Sequence, residues 1–190
     1  MKFIGQTPLE PAVSLEAFRR ATPLPEGETE DEDLLTELLL TACEVVETAC
    51  RRMMLPRAVE LMAPAGGWRR WWLPVTPLFS VQSLAVWEEG SGWTELNLAG
   101  LGIEAAHDEP QLILSDALRA RTRAPVRLQC TVGDADRIPR QMRQAVILQA
   151  REWLDAGFAL DEFKAQRLTF GFDRLVRQVR YQRPGVVAQS

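Results

Sequence analysis

The chain has 190 residues, 46% of them hydrophobic and 25% charged, with a formal net charge of −4. This suits a folded domain with a core of its own, and a pI near 5.2 argues against DNA as the main ligand. No apolar run reaches the roughly 18–20 residues of a bilayer span, because Glu37, Glu44 and Glu47 interrupt Leu34 to Cys50; the opening MKFIGQTPLEP has no signal-like apolar centre, so a cytoplasmic, non-membrane protein is expected.

Residues 1–13 read as an extended lead carrying Pro8 and Pro11. Ser14 is placed to cap a short helix, Leu15 to Ala21. A polar stretch, TPLPEGETEDED, follows. Within it Thr29 and Glu32 fit a capping box, and Glu30, Asp31 and Asp33 favour the positive end of the next helix. That helix is predicted from Glu30 to Met53. Leu35, Leu38, Leu39, Ala42, Val46, Ala49 and Met53 recur at three- and four-residue spacing and form one apolar face. Arg51 and Arg52 suit its negative end, and Pro56 marks the exit.

From Arg57 to Val132 short β-branched and aromatic runs alternate with turn signals. RAVELMAP, the turn AGG and WRRWWLPV read as one hairpin. LFSVQSLAVWE, EGSG and WTELNL read as a second. Shorter candidates surround Ile103 and QLILSD, and PVRLQCTVG closes the region. A modest, mostly antiparallel sheet or barrel is expected. Helix returns from Ile138 to Gly157, with Asp136 as cap, Pro139 in the first turn and Gly157 as stop. Its inner face is expected to carry Ile138, Met142, Ala145, Val146, Gln149 and Trp153.

Leu160 to Arg183 reads as an amphipathic basic helix. Phe163, Leu168, Phe172, Leu175 and Val179 fall near one face, and Arg167, Arg174 and Arg177 share another. Two readings stay open: a last helix folded onto its own domain, or a helix that docks into a partner's groove. Gly171 is a possible break in it. Charge is uneven along the chain. Residues 1–50 carry a net −8 and residues 137–190 a net +5, which suits self-association or two different partners.

The chemistry-bearing residues are few. Cys43 and Cys50 are seven apart on a predicted helix, about 10 Å along its axis and too far for a disulfide. Cys130 sits alone in a predicted strand. No C-x-x-C spacing occurs, so buried free thiols are expected, with no zinc site. His107, the only histidine, lies in HDEP beside Asp108 and Glu109; adjacent side chains rarely converge on one ion, and a solvated loop histidine is expected. No G-x-S-x-G, G-x-x-x-x-G-K-[ST] or G-x-G-x-x-G is present. Trp68, Trp71 and Trp72, interleaved with Arg69 and Arg70, look like a nucleic-acid stacking platform, but strand alternation puts Trp71 opposite Arg70 and Trp72. Strand core plus subunit interface is the preferred reading, with Trp68, Arg70 and Trp72 as interface candidates.

The order of these segments resembles the head–tail connector (adaptor) proteins of long-tailed bacteriophages, prophages and gene transfer agents. The likeness spans about residues 7–182. It rests on TPLEPAVSLEAFRRAT, on EDEDLLTELLLTACEVVETACRRMM, on RAVELMAP with WLPVTPLFSVQSLAVWEEG, on DADRIPRQMRQAVILQAREWLDAG, and on LTFGFDRLVRQVR. Thr169 stands where a proline is expected before the Phe-Gly pair, and the run after Arg183 is longer than usual. The resemblance implies a non-enzymatic structural protein without a cofactor. It would form a ring, dodecameric to match the portal protein, at the virion head–tail junction after assembly in the host cytoplasm. It would extend the DNA channel, touch packaged DNA only in transit, and carry a downstream head-completion or tail protein. The fold expected is α+β: a small helical bundle with an antiparallel sheet or hairpins in residues 1–157, and a docking arm in 158–190. Carried onto this chain, the portal contacts are Leu168, Phe172, Arg174, Leu175, Arg177, Val179, Arg180 and Tyr181. The acidic residues Glu26, Glu28, Glu30, Asp31, Glu32 and Asp33 are candidates for the channel wall, where negative charge keeps DNA from sticking. The alternative function is a nucleic-acid-binding regulator using the Arg-rich C-terminal segment; a hydrolase or metal enzyme built on His107 is a third.

Overall fold

The computed structural model describes residues 1–5, 10–22, 31–65, 67–156, 170–185 and 188–189. Along the chain run β1 (Lys2–Phe3), α1 (Leu15–Ala21), α2 (Glu32–Cys50), β2 (Arg57–Ala63), β3 (Arg70–Trp72), β4 (Leu78–Glu88), β5 (Gly92–Leu96), β6 (Leu101–Glu104), β7 (Gln111–Leu114), α3 (Asp116–Arg121), β8 (Val126–Val132), α4 (Arg140–Asp155), α5 (Phe170–Val179) and β9 (Ala188–Gln189). Single 3-10 turns lie at Ala106–Asp108 and Ala135–Arg137. The fold is α+β, as the sequence implies. It divides into a helical unit, Pro8–Met54 with Ala135–Arg180, and a β unit, Met1–Thr7 with Leu55–Asp134 and Tyr181–Ser190. Within the helical unit, α5 packs on α4 and α2.

In the helical unit, Ser14 caps α1 by accepting from the Ala17 N–H at 3.2 Å. Phe18 drives α1 into the core, where it is wholly buried. The expected Thr29 cap of α2 lies outside the described residues. Asp31 holds the N-cap, its carboxylate accepting from the Leu34 N–H at 2.9 Å. Glu32 is paired with Arg19 at 2.8 Å. Of the predicted stripe, Leu35, Leu38, Leu39, Ala42 and Val46 are buried, Ala49 is half-buried, and Met53 is buried beyond the helix end. The helix stops at Cys50, short of the expected Met53. Arg51 turns left-handed (φ 54°), and the buried Glu47 carboxylate accepts from the Met54 N–H at 2.7 Å, folding the chain back over the last turn. On α4 the face Met142, Ala145, Val146, Gln149 and Trp153 is buried as predicted, and Ile138 is half-buried. The expected Asp136 cap is corrected: Asp136 belongs to the 3-10 turn, and Pro139 takes the N-cap position without a side-chain bond.

In the β unit, β1-β2-β8-β4-β5 form one sheet and β6-β7-β3-β9 another. All their pairings are antiparallel. The EGSG hairpin forms as read, β4 pairing β5 with Trp87 opposite Trp93. The hairpin expected of β2 and β3 does not form. β2 alternates buried Val59, Leu61 and Ala63, and its partner is β8, which offers Val126, Leu128, Cys130 and Val132 in matching register. β3 pairs with β7 in the other sheet, Trp71 opposite Leu112. The connection from β2 to β3 is pinned by buried Trp68, whose Nε1 donates to the Pro64 carbonyl at 2.8 Å. α3 was not foreseen; it is capped by Ser115 and anchored by buried Leu118. Cys43, Cys50 and Cys130 are buried thiols outside any disulfide, as expected.

Candidate docking surface

α5 is strongly two-sided. Phe172 and Val176, four residues apart, lie in the core with α2 and α4, and Leu175 and Val179 pack against its margin. Gly171 lies inside the helix described over Phe170–Val179. A Cβ there would stand 3.9 Å from Leu148 Cδ1, an ordinary contact, so the packing leaves room for a side chain at this position. At the other end Arg52 Nε donates to the Val179 carbonyl at 2.7 Å, satisfying a group that the end of a helix leaves unpaired.

The outward side of α5 carries Phe170, Arg174, Arg177 and Gln178. Phe170 is 83% exposed. With Asp173 these residues line a hollow of about 420 Å³. Arg177 reaches back to Asp173 at 3.7 Å. An exposed phenylalanine that shares a hollow with Arg174 and Arg177 can seat an apolar side chain and pair with carboxylates beside it.

The residues singled out from the sequence are thus divided. Arg174, Arg177 and Arg180 are exposed, and Leu175 and Val179 are half-buried. Phe172 is fully buried in the helical unit. Tyr181 is buried in the β unit, its hydroxyl donating to the Leu73 carbonyl at 3.0 Å. Both therefore hold their own units together. Burial raises the Tyr181 pKa; the Arg183 charge partly offsets this and Glu109 adds to it. Leu168 lies outside the described residues. Phe170, absent from the expected set, is the most exposed large apolar side chain among the described residues. Its signal was the four-residue step from Phe170 to Arg174.

Of the acidic candidates, Glu26, Glu28 and Glu30 lie outside the described residues. Asp31, Glu32 and Asp33 are exposed around the start of α2. Trp68 and Trp72 are 3% and 8% exposed, which leaves them little surface for a neighbouring chain. Arg70 is half-buried over the Trp72 ring, 5.8 Å from its centroid, and bonds Gln111 at 2.8 Å. This confirms that Arg70 and Trp72 share a face of β3. His107 lies in the Ala106–Asp108 turn. Among the described residues no group of His, Cys, Asp and Glu is placed to hold a metal, and no helix is long and apolar enough to cross a membrane.

No protein-family model and no curated protein matches the chain. Solved structures do. One is a chain from the neck of an empty gene transfer agent (GTA) particle computed with C6 symmetry: 23% identity, TM-score 0.69, 97% of both chains covered. A second is from the neck of a native GTA particle computed with C12 symmetry, at 20% identity and TM-score 0.67 over 97% of both chains. A third is from the virion of a native GTA particle, at 20% identity and TM-score 0.70 over 96% of both chains.

Proposed function

We propose that this chain, which shares its fold with neck chains of a gene transfer agent particle, is a structural head–tail connector. The observation that carries the reading is the reach of that likeness: it takes in nearly all of both chains, helical and β units together. The role requires binding surfaces and no reaction. In it, copies of the chain form a ring, twelve-fold to match the portal, beneath the portal vertex, and extend the DNA channel. They carry the next head-completion or tail protein at the virion's head–tail junction, after assembly in the host cytoplasm.

The outward face of α5 is our candidate for the portal contact. Phe170 supplies the apolar anchor, and Arg174, Arg177 and Arg180 supply the charge. Leu175 and Val179 stand at its margin. The acidic lead into α2 is our candidate for the channel wall, with Asp31, Glu32 and Asp33 its described members. Co-sedimentation with portal rings of the same particle type tests the assignment. The parent chain should pellet with the rings, and Phe170→Asp with Arg174→Glu should stay in the supernatant while keeping the parent's circular dichroism. Pelleting equal to the parent's would remove α5 from the portal contact. A tight, steeply salt-dependent shift of free DNA would favour the nucleic-acid regulator instead.

A further inference from the structure

The connector reading requires a chain that meets copies of itself, and the inference here rests on it. We propose that the outward stripe of α2 on one copy docks on the outward stripe of α4 of the next. On α2, Asp33, Glu37 and Glu44 are exposed at steps of four and seven residues, so they form one acidic line about 16 Å long. On α4, Arg140 and Arg143 are exposed, and half-buried Ile147 and Arg151 continue the same side. Arg140 to Arg151 also spans about 16 Å.

Three features favour this occupant. First, Asp33, Glu37, Arg140 and Arg143 have no ion-pair partner among the described residues, whereas Arg20, Arg151 and Arg177 are each paired within their own helix. Second, Arg140 and Arg143 occupy the first turn of α4, which contains no acidic residue. Cations at the positive end of a helix dipole lower helix stability, so their presence there suits an external anion. Third, α2 and α4 bury their inner faces in one shared core, so the two stripes look away from each other. A two-fold dimer through either stripe would set like charges together. Only a head-to-tail contact, with a different patch on each side, joins acid to base, and such contacts close into rings. Leu34, 41% exposed beside the acidic line, and Ile147 on α4 add an apolar component.

Two charge-reversal variants test the contact: D33R/E37R and R140E/R143E, followed by sedimentation velocity over a concentration series at low salt. The parent should self-associate, and more weakly as salt rises. Each variant alone should lose association by roughly tenfold or more, because it presents two stripes of one sign. An equimolar mixture should recover it, since each variant's altered stripe then meets the other's altered stripe, and its natural stripe the other's natural one. Recovery on mixing also shows that both variants are folded. Variants that associate like the parent, or a mixture no stronger than its components, would overturn the proposal. So would a parent that stays monomeric at low salt. The connector reading is judged separately, by portal co-sedimentation, so the two can fail independently.

Discussion

Two phenylalanines two residues apart on α5 provide a sharp contrast. Phe172 is fully buried among α2 and α4, whereas Phe170 is 83% exposed. Truncating a wholly buried phenylalanine removes its transfer energy and leaves a cavity, at a cost of about 3–5 kcal/mol. For Phe170, with under a fifth of its surface covered, the loss is a small part of the roughly 1.5–3 kcal/mol that full burial is worth, or about 0.5 kcal/mol at most. In a chain of this size each kcal/mol moves the melting temperature by about 2–4 °C. Phe172→Ala should therefore lower the far-UV circular dichroism melt of the helices by roughly 8–15 °C, and Phe170→Ala by about 2 °C or less. For portal binding the order should reverse, with Phe170→Ala the more damaging to affinity in chains that remain folded. If the two variants melted within about 2 °C of each other, α5 would be a detachable arm and the packing described for it would be wrong.

Burial pushes the Cys50 thiol up to about 11, against the opposing charges of Arg52 and Arg180, and the Cys130 thiol up to about 12. Unfolded thiols ionise near about 8.5. Between that pH and these values the folded state holds more protons, so this contribution to stability is complete below about pH 8.5 and declines as pH rises towards 11 and 12. Neither thiol should react with a disulfide reagent at neutral pH until denaturant is added; prompt labelling of native protein would contradict their burial. Gly133→Ala should cost roughly 2–4 kcal/mol in urea titration, because φ is +100° and a Cβ there overlaps the Leu55 carbonyl. Gly90→Ala, left-handed but in open space, should cost about 1 kcal/mol, and equal losses would refute the clash. Asp31→Ala should cost about 1 kcal/mol through the lost cap on Leu34, with Asp31→Asn close to the parent; an unchanged Asp31→Ala melt would move the cap elsewhere.

What was legible in the sequence was local. Ser14 with its three-residue reach to Ala17, the α2 stripe, the α4 inner face and the EGSG hairpin each depend on residues near one another in the chain. What was misread depended on distant partners. β2 and β3 each look ready for a hairpin, but β2 finds its register with β8, more than sixty residues away, and β3 with β7. The tail shows the same limit in another form. Its apolar stripe has the same spacing whether it covers its own core or a partner's groove, so Phe172 could be assigned to α4 only once α4 lay beside it. Tyr181 belongs to the β unit because its hydroxyl reaches Leu73, over a hundred residues away. Phe170 was missed because Gly171 suggested a break, whereas both residues lie in the described helix Phe170–Val179.

The central claim is that this chain is a connector, and electron cryomicroscopy of the chain incubated with portal rings tests it most directly. A closed ring of chain density seated on one face of the portal, with the outward side of α5 at the junction, is the predicted result. Portal rings that emerge bare, with the chain free in solution at saturating concentration, would contradict it.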